Sequence, residues 1–103
     1  TENPGIDITG IPGSAIRTVL GGVGTTITYI RGYGTTIIID HGGGFYTVYS
    51  HINDIQVTVD SQVRNGDVIA YMGDSGSING SKLHFEIWGK GQKLDPEKWL
   101  MKQ

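Results

Sequence analysis

No cysteine occurs in the 103 residues of this chain, which rules out both a disulfide framework and a thiolate zinc site. Basic residues are also scarce. Eight Lys and Arg against ten Asp and Glu leave a formal charge of −2, and no arginine-rich run or basic stripe offers a surface to nucleic acid. No apolar run approaches the ~20 residues of a membrane-spanning helix, and no stretch reads as a signal peptide, so direct membrane insertion is not expected. No segment before residue 95 keeps an apolar period near 3.6, so no long helix is expected either. Glycine, by contrast, is abundant. Seventeen glycines fall between β-rich runs without forming a low-complexity tract, which marks turns. The length suits one compact domain over residues 1–103. Its opening, Thr1-Glu2-Asn3-Pro4, reads as the cut end of a longer protein.

The apolar segments are short, β-branched and bounded by glycine. The sequence predicts strands over Ser14–Leu20, Thr25–Ile30, Thr35–Asp40, Phe45–His51, Ile55–Val59, Gly66–Met72 and Lys82–Trp88. The third and fourth, joined by His41-Gly42-Gly43-Gly44, predict a hairpin. Asp95-Pro96-Glu97-Lys98-Trp99 has an N-cap aspartate, proline at the first helical position and a following glutamate, which predicts one helical turn. The expected class is all-β: a strongly twisted antiparallel sheet or sandwich of about seven short strands, with a groove and one C-terminal helical turn.

Chemistry can rest on few residues. In Lys82-Leu83-His84-Phe85-Glu86 a period of two puts Lys82, His84 and Glu86 on one face, with Leu83, Phe85 and Ile87 on the other. His84 in mid-strand needs a partner, either a ligand or a neighbouring side chain. His41, at the mouth of a glycine turn, is expected to bond turn backbone. His51 closes a strand, where surface and catalytic roles are equally open. The acidic candidates are Asp7 and Glu86, whereas Asp60, Asp67 and Asp74 fall near turns. Neither a nucleophile elbow nor a phosphate-cradling loop opening a helix is present. On the residues alone, a histidine–aspartate site at His84 and Asp7 stays open.

Four stretches in order, "NPGIDITGIPGSAIRTVLGGVG", "GYGTTIIIDHGGGFYTVYSHI", "VTVDSQVRNGDVIAYMGDSG" and "LHFEIWGKGQKLDPEKWL", resemble the LytM-type, or M23, zinc metallopeptidase domain from residue 3 to residue 100. In active members of that family a His-x-x-x-Asp motif supplies two zinc ligands, and the second histidine of a later His-x-His supplies the third. The first histidine of that motif and one at the end of a "YSH"-like strand polarise water and stabilise the transition state. The resemblance maps Asp7, His84 and His51 onto three of these places. It puts Asn3 at the first ligand and Lys82 at the first histidine of His-x-His. An ammonium ~5 Å from a dication, at an effective dielectric of ~20, is opposed by about 6–7 kcal/mol at most. The resemblance therefore implies that zinc is lost, that no cofactor is held and that peptidase activity is absent.

Within the family, "GYG…HGGGFYTVYSH" and "LHFEIW…DPEKWL" resemble the murein hydrolase activators of cell division, whose LytM-like domains switch on N-acetylmuramoyl-L-alanine amidases of the cell wall. This implies a periplasmic location, a coiled coil ahead of the domain and an amidase as partner. It also implies contacts to division-complex membrane proteins through regions outside this chain. The groove to which a partner would dock is expected around Asn3, Asp7, Tyr33, His51, Lys82, His84 and Glu86. Competing readings are an active zinc endopeptidase that uses Asp7, His84 and His51, and a non-enzymatic scaffold of the kind found in sporulation channels. "VRNGDVIAYMGDSG" also resembles a lipoyl carrier repeat, but no lysine stands at the hairpin tip.

Overall fold

In a computed structural model that describes residues 5–74, 80–89 and 92–94, those residues form strands and turns without a helix. The strands are β1 (Ile6–Thr9), β2 (Ala15–Arg17), β3 (Gly22–Ile30), β4 (Gly34–Gly42), β5 (Phe45–Ser50), β6 (Ile52–Asn53), β7 (Gln62–Val63), β8 (Val68–Met72), β9 (Lys82–Gly89) and β10 (Gln92–Leu94). Seven of them make an antiparallel sheet in the order β1-β9-β5-β4-β3-β7, with β10 paired beside β9. A smaller sheet, β2-β8-β6, packs over one face of it.

The inner face follows from the period of two. Ile37 and Ile39 of β4, Tyr49 of β5 and Leu83, Phe85 and Ile87 of β9 meet Ile16, Ile52, Ile69, Ala70 and Met72 from the smaller sheet's strands. Ile37, Ile39, Ile52 and Ile69 are wholly shielded from solvent, and each such side chain contributes about 1.5–3 kcal/mol. Tyr49 and Phe85 stack at a tilt with ring centroids 5.3 Å apart. The β4–β5 hairpin forms as the sequence predicts. Gly42, Gly43 and Gly44 all take positive φ, a backbone that L side chains resist.

Two expectations need correction. Ile55–Val59 is not a strand. It lies between two residues of positive φ, Asp54 and Asp60, and Gln56 N–H donates to the Ile69 carbonyl without a ladder following. Ile55 and Val57 still pack against the core, so the alternation signals burial and not pairing. The strand expected over Ser14–Leu20 is limited to Ala15–Arg17. There a bulge follows Ile16, and Thr18 Oγ1 turns to bond the Leu20 carbonyl at 2.6 Å. The helical turn expected at Asp95–Trp99 lies outside the described residues.

Candidate functional site

The site is built on the outer face of β9. Lys82, His84, Glu86 and Trp88 alternate with the core residues and project from that face. On one side β1 runs antiparallel, with Asp7 opposite His84 and Thr9 opposite Lys82. On the other, β5 sets Ser50 opposite His84 and Val48 opposite Glu86. Ser50 and Thr36, whose hydroxyls lie 3.0 Å apart, form a buried floor.

This register creates a continuous polar relay. The Lys82 ammonium stands 3.5 Å from Asp7 Oδ2. Asp7 Oδ1 is 2.7 Å from His84 Nδ1. His84 Nε2 is 2.8 Å from Glu86 Oε2, and the other oxygen of Glu86 accepts the indole N–H of Trp88 at 2.7 Å. Both imidazole nitrogens therefore face carboxylates, an arrangement that favours the imidazolium. The bond to Glu86 raises the pKa of His84 most strongly; burial opposes it, and the bond to Asp7 and the two carboxylate charges add to the rise. For Asp7, burial pushes the carboxyl up, but the bond to His84 and the Lys82 charge outweigh it and hold the carboxyl below its ordinary value. Asp7 is half exposed, so its pair with Lys82 contributes only about 0–1 kcal/mol. His84 and Glu86 are buried, and their pair is the stronger element.

Tyr33 joins the second histidine to this group. Its ring lies 5.0 Å from that of His84 and 6.3 Å from that of His51. His51 is buried with a left-handed backbone, φ 63°, and its N–H donates to the Tyr33 carbonyl at 2.8 Å. Asp7, Tyr33, His51, Lys82, His84 and Glu86 are thus brought to one region, whereas Asn3 lies outside the described residues. Two participants were missed from sequence. Trp88 ends the relay and was legible as the next residue of the same period. Gly5 leaves room for it: a Cβ there would meet the Phe85 carbonyl oxygen and come within 2.7 Å of Glu86 Cγ and 3.1 Å of His84 Cε1. His41 stands apart, its Nδ1 2.9 Å from the Gly21 carbonyl and its Nε2 2.7 Å from Thr47 Oγ1. A carbonyl only accepts, so Nδ1 is the donor to Gly21.

The fit to a metal ion is partial. Asp7 Oδ1 and His84 Nδ1 face one another, and Glu86 on Nε2 is the kind of carboxylate that orients a metal-bound imidazole. A catalytic zinc needs three protein ligands and an open position. Among the described residues no three such side chains converge to hold an ion, and the group added beside Asp7 is an ammonium. The described donors do not fit a catalytic zinc ion.

Comparison with known proteins agrees with this reading of the fold. Residues 1–96 match the model of peptidase family M23. The outer membrane antigenic lipoprotein B of Haemophilus influenzae is 43% identical over 95% of this chain and 24% of its own length. Murein hydrolase activator NlpD of Escherichia coli is 39% identical over 95% of this chain and 26% of its own. The chain therefore spans about a quarter of the length of these curated relatives. Among solved structures, a zinc-containing peptidase from Vibrio cholerae superposes with a TM-score of 0.83 at 25% identity, over 88% of this chain and 28% of that one. A match over nearly the whole length, on a two-sheet β fold with Asp7 and His84 side by side, makes this chain a member of peptidase family M23.

Proposed function

We propose that this domain is a catalytically inactive M23 domain that binds an N-acetylmuramoyl-L-alanine amidase of the cell wall and switches it on during cell separation. The observation that carries the reading is the Lys82–Asp7–His84–Glu86 relay. An ammonium beside Asp7 and carboxylates on both ring nitrogens of His84 support it, because the family's chemistry needs a metal and a neutral imidazole there. The names of the relatives, murein hydrolase activator and outer membrane lipoprotein, support the activator role and a place in the cell envelope, here assigned to the periplasm. The partner docks over the former catalytic floor at Asp7, Tyr33, His51, Lys82, His84 and Glu86, together with Asn3. It is held in its open form by a shift of populations, without chemistry in this domain. Contacts to division-complex membrane proteins are made by regions outside this chain.

The test is release of dye from labelled peptidoglycan by a purified amidase, with and without the domain. Acceleration by the domain, which alone releases nothing even with zinc added, is the expected result. The juxtaposition of Asp7 and His84 favours a second reading, a zinc endopeptidase. Stoichiometric zinc in the purified protein, with chelator-sensitive cleavage of cross-links, would establish that reading and overturn the first. No acceleration and no cleavage would leave a scaffold.

A further inference from the structure

The ladder fixes which way the backbone of β1 points. Lys82 N–H donates to the Gly73 carbonyl at 3.1 Å, on the side of β9 away from β1. Residues of an antiparallel pair alternate between hydrogen-bonded and non-hydrogen-bonded positions. Thr9, opposite Lys82, and Asp7, opposite His84, therefore hold the non-hydrogen-bonded positions of the β1–β9 ladder. Ile6 and Ile8 bond to β9, whereas the N–H and C=O groups of Asp7 and Thr9 point outward from the sheet's margin. Among the described residues these two donors and two acceptors have no partner. Exposed margins of this kind are blunted by lysine, proline, a bulge or brevity. The opposite margin, β7, is only two residues long. β1 reads Ile-Asp-Ile-Thr, and its register with β9 is unbroken. Its one charged side chain, Asp7, is engaged by Lys82 and His84. Ile8 is 40% exposed, and Ile11, just past the strand, is 76% exposed.

This edge is complementary to itself. Antiparallel pairing must set outward positions opposite outward positions, so a second copy of β1 has three registers open, centred on Asp7, Ile8 or Thr9. Centring on Asp7 puts two carboxylates face to face. Centring on Thr9 needs Ile11 in the strand, but the Ile11 carbonyl is already turned to accept the N–H and hydroxyl of Ser14. Centring on Ile8 sets each Asp7 opposite Thr9 of the other copy. All the outward N–H and C=O groups then pair, a hydroxyl comes beside each carboxylate, and the two Ile8 side chains meet at the axis. We propose that β1 is a self-association edge, at which two copies of this chain join antiparallel about a two-fold axis through Ile8 and merge their larger sheets. That axis runs perpendicular to the sheet, so both relay faces lie on the same side, with the two β9 strands three spacings, about 14 Å, apart. The contact is short, so the dimer is weak and forms where copies are concentrated. The inference does not rest on the activator reading.

The test exploits the absence of cysteine from the chain. At the axis the two Ile8 Cα atoms stand about 4.5 Å apart, within the span of a disulfide. Ile8→Cys and Thr9→Cys proteins are incubated with oxidised glutathione, which is reduced to two thiols for each cross-link formed, and the linked dimer is followed on non-reducing gels. Ile8→Cys should cross-link at least about tenfold faster than Thr9→Cys, whose sulfurs lie too far apart in this register. In the wild type, raising the protein to millimolar concentration should slow amide exchange at Asp7 and Thr9. Ile8→Lys, which brings two ammonium groups together at the axis, should abolish that slowing. The wild-type measurement needs no substitution, so it reads the edge even if changes at position 8 unfold the chain. Equal cross-linking at the two positions, faster cross-linking at Thr9→Cys, or exchange at Asp7 and Thr9 that ignores concentration would overturn the proposal. So would a dimer, seen by sedimentation, that survives Ile8→Lys, because the contact would then lie elsewhere. No amidase is present, so failure here leaves the activator reading untouched.

Discussion

Glu86→Gln is the sharpest perturbation of the relay, because it preserves shape and changes only what the two oxygens can do. In the wild type one carboxylate accepts from both the His84 ring and the Trp88 indole, at 2.8 and 2.7 Å. Glutamine has one acceptor oxygen and one donor nitrogen. Its oxygen can keep the indole bond. Its NH₂ then faces His84 Nε2, which must lose its proton to accept, so the variant favours neutral imidazole. The loss is one charge-assisted hydrogen bond between buried groups, about 1.5–3 kcal/mol. For a domain of this size that is a fall in melting temperature on the order of 10 °C. The pH dependence identifies the cause. His84 has a raised pKa, so its contribution is fully present below the ordinary value of 6.5 and disappears as pH rises through the raised one. The two proteins should therefore differ most in mildly acidic buffer and converge in alkali. Urea unfolding across the pH range, with an NMR titration of the His84 ring, measures both. Parallel stability curves, or an unchanged His84 titration, would refute the assignment of the imidazolium to Glu86.

Further outcomes follow from the same geometry. Asn3→His combined with Lys82→His should restore zinc uptake, read by metal analysis after dialysis. A folded double variant that stays metal-free would show that the rest of the pocket has drifted. Gly5→Ala should destabilise the domain by about 1–3 kcal/mol through overpacking against the Phe85 carbonyl and the relay, measured by chemical unfolding. His41→Ala removes bonds to Gly21 and Thr47. It should cost about 1–3 kcal/mol in the same assay while leaving amidase activation at wild-type level once the protein is folded. Asp7 has a lowered pKa, so its share of stability holds above its ordinary 3.8 and vanishes as pH falls through the lowered value. Asp7→Asn should therefore flatten the acid limb of the unfolding curve.

Much of this architecture was legible because β-branched runs bounded by glycine carry their own signal. The β4–β5 hairpin, the two faces of β9 and the gathering of Asp7, His51, Lys82 and His84 all follow from local pattern or from family motif. The failures share a cause. β1, β6 and β7 are four, two and two residues long, too short for any period, and they exist because a distant strand offers them hydrogen bonds. Ile55–Val59 errs the opposite way, having the alternation of a strand while its Gln56 N–H bond to the Ile69 carbonyl is not extended into a ladder. The relay was only half readable. That His84 wants a partner follows from its mid-strand position, but that both its nitrogens meet carboxylates depends on the β1–β9 register, set by residues 77 positions apart in the chain.

The position of β1 has a mechanical consequence. It is a four-residue strand at the margin of the larger sheet, joined among the described residues only to β9, and most of its length is open to water. Such margins detach at a small fraction of the free energy needed to unfold the whole. When β1 peels away it carries Asp7 off and strips His84 of one of its two anions, while the buried layer between the sheets stays shut. Amide exchange at Ile6–Thr9 should thus run well ahead of exchange in β4 and β5, and whatever frees β1 from β9 would be felt at the His84 imidazole.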